Sequence, residues 1–150
     1  MMLHRLFAAL VATVLAPLAN AADGLVAIKS PVSVKATAEK FEELAKQRGL
    51  NVFARIDHAA GAAKVGKSLR PTELIIFGSP QSGTPFMECS QTVGIDLPLK
   101  ALIWEDASAQ VWLGYNDPAY MATRHSAALC PVVENIRKAV SSLAEAAVAK

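Results

Sequence analysis

Between Gly24 and Asn116 the chain carries five short runs patterned as strands, and only one long helical run lies among them. The strand-like runs are Gly24 to Lys29, Leu50 to Asp57, Thr72 to Phe77, Leu99 to Asp106 and Gln110 to Asn116. A doubly wound parallel sheet needs a helix after nearly every strand, because parallel neighbours require a crossover. That supply is missing here. The pattern predicts an α+β fold of order β-α-β-β-β-β-α: a mostly antiparallel, curved sheet with helices packed on one face.

The helical run has the clearest period. Val34, Ala38, Phe41, Leu44 and Ala45 recur on one face, with Lys40, Glu42, Glu43 and Lys46 opposite. Ser33 reads as its N-cap, and Gly49 as the left-handed residue that closes it. Leu50 to Asp57 then switches to period two, which places Leu50, Val52, Ala54 and Ile56 on the core face. His58 to Val65 fits a short helix or a loop. The unbroken apolar run Thr72 to Phe77 reads as a central strand. Thr84 to Thr92 is read as one short helix within a Gly- and Pro-rich stretch. Asp106 to Ala109 is a tight connection that makes an antiparallel hairpin of its flanking strands. Pro118 and Pro131 each suit a first helical position. The last helix should bury Val133, Ile136, Val140, Leu143 and Ala147.

Residues 1–21 read as a secretory signal. A short basic start ending at Arg5 precedes an apolar run from Leu6 to Leu18 and the small-x-small exit Ala19-Asn20-Ala21. The apolar run is shorter than the roughly 20 residues a spanning helix needs. An uncleaved anchor is the alternative. Cleavage after Ala21 leaves one domain, residues 22–150, in the periplasm or outside the cell, with no membrane attachment. The full chain carries 15 Lys and Arg against 13 Asp and Glu. Loss of Arg5 brings the balance still nearer neutral, so nothing favours nucleic acid as a partner. Cys89 and Cys130 form an even pair in an exported chain, which favours a disulfide. Closing about 41 residues would stabilise the fold by roughly 3–4 kcal/mol on the chain-entropy account. Free thiols and a functional role are the alternatives; the spacing is not C-x-x-C.

Five phrases occur in a telling order: Arg55-Ile56-Asp57-His58-Ala59-Ala60, Leu74 to Pro80, Gly83 to Met87, Gly94 to Lys100, and Val111 to Pro118. Together they resemble domain-of-unknown-function family 302 (DUF302), over nearly all of the chain beyond the signal. The resemblance implies a compact α+β domain of the order given above and a tendency to dimerise. It supplies no catalytic residues, and no activity is established for the family as a class.

The candidate site residues are Asp57, His58, Asp96, Tyr115, Arg124 and His125. His58 ends a strand and has the chemistry of a ligand or a general base, since imidazole titrates near neutrality. A histidine that merely bonds the following loop is the plainer explanation. Arg124 and His125 end a short helix, where the dipole favours cations. Asp96 suits a turn cap or a carboxylate facing His58. Tyr115 lies on the hairpin strand whose second face carries Trp112, which suggests cover by a partner subunit or a ligand as well as plain core packing. No short Cys-His-Met spacing of a copper loop occurs, and none of the G-x-S-x-G, P-loop, H-E-x-x-H or G-x-G-x-x-G patterns. No metal or cofactor is therefore expected. The sequence reads as an exported homodimeric domain that binds a small molecule or partner in a pocket near His58, without chemistry of its own. The competing reading is a periplasmic enzyme or redox protein using His58 with Asp96, Glu88 or a cysteine. Protein recovered from the periplasm should have the mass of residues 22–150; an intact Met1 would overturn the cleavage site.

Overall fold

The computed structural model describes residues 22–150; the expected signal segment and its cleavage site lie outside them. The elements run in the order β1 (Leu25–Ser30), α1 (Val34–Gln47), β2 (Asn51–Asp57), α2 (His58–Lys64), β3 (Thr72–Gly78) and α3 (Pro80–Cys89). A 3-10 helix (Gln91–Ile95) follows, then β4 (Leu99–Glu105), β5 (Val111–Asn116), α4 (Pro118–Arg124) and α5 (Val133–Val148). The five strands form one sheet in the order β1-β5-β4-β3-β2, with every neighbouring pair antiparallel. This is the α+β fold read from the sequence. β2 to β5 meander, with α2 between β2 and β3, α3 and the 3-10 helix between β3 and β4, and a tight turn between β4 and β5; α1 carries the chain from β1 at one edge to β2 at the other.

The local signals explain the helices. Ser33 Oγ accepts the Ala36 N–H at the start of α1. Gly49, at φ +75°, ends it, and the Leu50 N–H bonds back to the Ala45 carbonyl. Phe41 and Ala38 are fully buried and meet the sheet at Phe77, Ile75, Ile103 and Leu113. The Phe41 and Phe77 rings pack edge to face at 5.0 Å, a favoured aromatic geometry. Val140, Leu143, Ala144 and Ala147 of α5 complete this core. Below it lies a second cluster: Phe86, Val93, Met121, Ala122, Ala127, Cys130, Val133 and Ile136. The two cysteines are joined as Cys89–Cys130, with Cα atoms 5.9 Å apart, which ties the end of α3 to the turn before α5.

Three boundaries differ from the sequence reading. The helix expected at Thr84 to Thr92 is two pieces, α3 from Pro80 and the 3-10 helix from Gln91, separated by extended Ser90. α5 begins at Val133 rather than Pro131. β2 does not keep its alternation. Its register shifts between Val52 and Ala54, so Ala54 pairs with Ile76 and Ile56 with Leu74. Cross-strand partners share a face, and Ile75 rather than Ile76 is buried among the helices. Val52 thus stays on the core side, Ala54 and Ile56 move to the opposite face, and Arg55 turns toward α1, where Glu42 lies 3.6 Å away. A single extra residue in one strand does this, because side chains alternate with period two.

That opposite face carries none of the core residues yet is apolar. One rung runs Ile56, Leu74, Leu102, Gly114, Ala27, and the next runs Thr72, Trp104, Trp112, Lys29. The two indoles stack at 6.4 Å, and Lys29 Nζ sits 5.5 Å over Trp112. Trp104 also lies flat against Gly114, where an added Cβ would meet its ring at 2.9 Å and the Val26 carbonyl oxygen at 3.2 Å. Gly114→Ala should therefore displace Trp104 and lower stability by about 1–3 kcal/mol, read as a lower urea midpoint with unchanged slope. Trp112 Nε1 donates to Asp106 Oδ2 at 2.8 Å, and the Gln110 and Ser108 amides donate to its other oxygen. These donors, Trp112 first, hold the Asp106 carboxyl below the usual carboxylate range. A depressed folded-state pKa stabilises the fold above the unfolded value of about 3.9 and ceases to do so as pH falls through the folded value. Indole fluorescence followed below about pH 4 should report the loosening of this turn, and Asp106→Asn should flatten that acid response.

Candidate functional site

The expected site residues separate into three places. Asp57 and Glu73 share a rung with Ile103, near the end of β4. Asp96 lies before β4 begins at Leu99. Four residues of strand separate Leu99 from Ile103, roughly 13 Å at 3.3 Å per residue. His58 and Asp96 therefore sit toward opposite ends of the sheet, and His58 lines none of the three cavities described below. Asp57 instead caps α2, accepting the Ala60 N–H at 2.8 Å. His58 is exposed. Glu88 is exposed on α3, at the far end from His58, and both cysteines are taken up by their mutual bond.

Asp96, Arg124 and His125 do come together. Asp96 Oδ2 accepts from His125 Nε2 at 2.6 Å, and Arg124 Nη1 donates to Oδ1 at 2.9 Å. The other imidazole nitrogen, Nδ1, faces Thr92 Oγ1 at 2.9 Å. Only 8 % of the His125 side chain and 15 % of the Asp96 side chain reach solvent, so the pair is largely withdrawn from water. A hydroxyl, an imidazole and a carboxylate in that order can activate an oxygen nucleophile. Here Thr92 lies in the 3-10 helix, Asp96 follows it, and Arg124 and His125 end α4. The contacts strap that helix to α4, and none of the four side chains lines the three cavities described below. Tyr115 faces the helices, 7 % exposed, beside a polar groove shared with α5. The groove's Glu134 already pairs with Arg137 at 3.1 Å and with Lys138 at 3.7 Å.

An apolar cleft lies elsewhere, at the end of β3. A cleft of about 270 Å³ opens between Gly78, α3, the 3-10 helix and Leu97 to Leu99, with Ile136 of α5 at its base. Three sequence features shape it. Phe53, the residue left over by the β2 bulge, turns to its mouth and is 56 % exposed. Bulges commonly re-aim a side chain in this way. Gly83 lies inside α3 although a Cβ there would meet nothing closer than Leu97 Cδ1 at 3.7 Å. A mid-helix glycine is about 0.5–1 kcal/mol worse than alanine; the fold does not need it, but a side chain would project into the cleft. Gly94 leaves room for Met87 Sδ, 3.3 Å from where its Cβ would stand. The strap through Asp96 and the disulfide at Cys89 hold the 3-10 helix and α3, two walls of the cleft. Sequence reasoning missed Phe53, Gly83, Met87, Gly94 and Leu97. The one available signal was a glycine and a proline, Gly83 and Pro85, inside a helical stretch. Among the described residues, no three His, Cys, Asp or Glu side chains gather as a metal ion requires, and no helix is long and apolar enough to cross a membrane.

The fold is shared with the crystal structure of an uncharacterized conserved DUF302 protein from Bacillus stearothermophilus. The two superpose with a TM-score of 0.75 at 19 % identity, covering 84 % of this chain and 99 % of the other. In sequence, the chain is 54 % identical over 114 residues to fluoride-specific ion channel FluC 1 of Brucella suis biovar 1 (strain 1330), which covers 75 % of this chain and 45 % of that protein. FluC 2 of Brucella melitensis biotype 1 matches at the same identity over 114 residues, with 42 % of its length covered. The chain spans less than half the length of these curated relatives, and the channel name belongs to those longer proteins. The family described as "Domain of unknown function DUF302" matches residues 26–146, and the chain belongs to it.

Proposed function

We propose that this chain is an exported, homodimeric binding module that takes a small apolar molecule into the cleft at the end of β3. The observation that carries the reading is Gly83, a glycine that weakens its own helix and keeps the cleft open. Cavities that hold small ligands are mostly apolar with a few polar groups at their edges, and Ser79, Ser82 and Thr84 supply those here. Dimerisation through the apolar sheet face would cover Ile56, Leu74, Leu102 and the Trp104–Trp112 pair. A face of this kind on a soluble chain marks an interaction surface. Export rests on the order of residues 1–21. The enzyme reading loses its main support with His58 and Asp96 apart.

Nile red should brighten and shift to the blue with the wild-type protein. Gly83→Leu should abolish that response while raising stability by roughly 0.5–1 kcal/mol; unchanged dye binding would remove the cleft from consideration. In sedimentation equilibrium the protein should have a dimer's mass at micromolar concentration, and Leu102→Lys should give a folded monomer. A monomeric wild-type protein would dispose of the sheet-face interface.

A further inference from the structure

The cleft has a continuation. A second cavity of about 390 Å³ lies between β3, α3 and α5, and it shares Gly78, Ser82, Leu99 and Ile136 with the first. They adjoin at these residues as two lobes that together extend from Phe53 past Leu99 to Ala139 and Val140. Not one residue lining either lobe is Asp, Glu, Lys, Arg or His. The polar side chains are neutral: Thr84 and Ser79 in the first lobe, Gln81 and Asn135 in the second. Resting on the binding reading above, we infer that the ligand is a single extended alkyl or acyl chain with an uncharged or solvent-facing head, lying through both lobes.

The physical reasons are shape and desolvation. A compact ligand seated in the smaller lobe would leave the apolar walls of the other in water. An ionised head buried in either lobe would lose its hydration without gaining a counter-charge. A flexible chain can follow the bend at Leu99 and Ile136, removing apolar area along its whole length. Lys100, next to the lining residue Leu99, already donates to the Asp96 and Pro98 carbonyls at 3.1 and 3.0 Å.

The test is a calorimetric series of straight-chain alcohols from hexanol to tetradecanol against the full mature protein. Affinity should rise about fourfold per methylene, the equivalent of ~0.8 kcal/mol, until the groove is full. Ala139→Trp replaces an exposed residue of α5 that lines only the second lobe. It should leave the shortest alcohols bound and stop the rise early. Dodecanoate and dodecyltrimethylammonium should bind no more tightly than dodecanol. Affinity that is independent of chain length, or a rise that Ala139→Trp does not touch, would overturn the extended chain while keeping the cleft. Tighter binding of one ionised head would overturn the neutral groove. If no alcohol binds and Gly83→Leu instead weakens self-association, the groove is a surface between copies of the chain, and both readings fall. Co-sedimentation with phosphatidylcholine vesicles would assign the alkyl chain to membrane lipid; alcohol binding without it would assign a free molecule.

Discussion

The packing of α5 holds the rest of the molecule in place. Its C-terminal half, Val140 to Ala147, lies beside α1 over the sheet. Its first turns, Val133 and Ile136, belong to the second cluster with Phe86, Val93 and Met121. One stripe at helical spacing thus bridges two cores, which otherwise meet at Leu99 of β4. Burying a side chain of this size stabilises by about 1.5–3 kcal/mol, so the residues of α5 are worth far more than any surface ion pair on it. Because Ile136 also forms the base of the cleft, the position of the cleft is set by the same packing.

The walls above that base are built differently. α3 contains Pro80, Gly83 and Pro85 and buries only Phe86 among its residues. The 3-10 helix that follows buries only Val93. Segments with so little apolar anchorage open easily. Two cross-links compensate: the Cys89–Cys130 bond and the Thr92–His125–Asp96–Arg124 chain of hydrogen bonds. This gives the polar cluster a positioning role that follows from its partners. It joins the wall of the cleft to α4, with its histidine and carboxylate mostly shielded from solvent.

Wherever local pattern and tertiary environment agreed, the sequence was legible. The buried stripe of α5 could be read residue by residue, as could most of that of α1, the hairpin at Asp106 and the strand at Thr72. The helix at Thr84 was misplaced because Gly83 and Pro85 argue against a helix that tertiary contacts nonetheless impose from Pro80. β2 was misread beyond Val52, since a bulge is a property of the pairing between two strands and leaves no mark in one. The candidate residues were gathered by chemical type. Three of them, Asp96, Arg124 and His125, do meet. Asp57 and His58 lie elsewhere because sheet register, which no spacing reveals, puts them at the other end.

The sequence alone determined what depends on neighbours along the chain: helical and strand periods, caps at Ser33 and Gly49, the shortage of crossover helices, and hence an antiparallel α+β fold. Register, the bulge at Phe53, the pairing of β1 with β5 and the meeting of two cavities at Leu99 and Ile136 were decided by the tertiary structure. The reason is the range of the forces. Backbone propensity and amphipathic period act within a few residues. A cavity is the space left between elements that meet only after the chain has closed loops tens of residues long, and no local pattern records what is left empty.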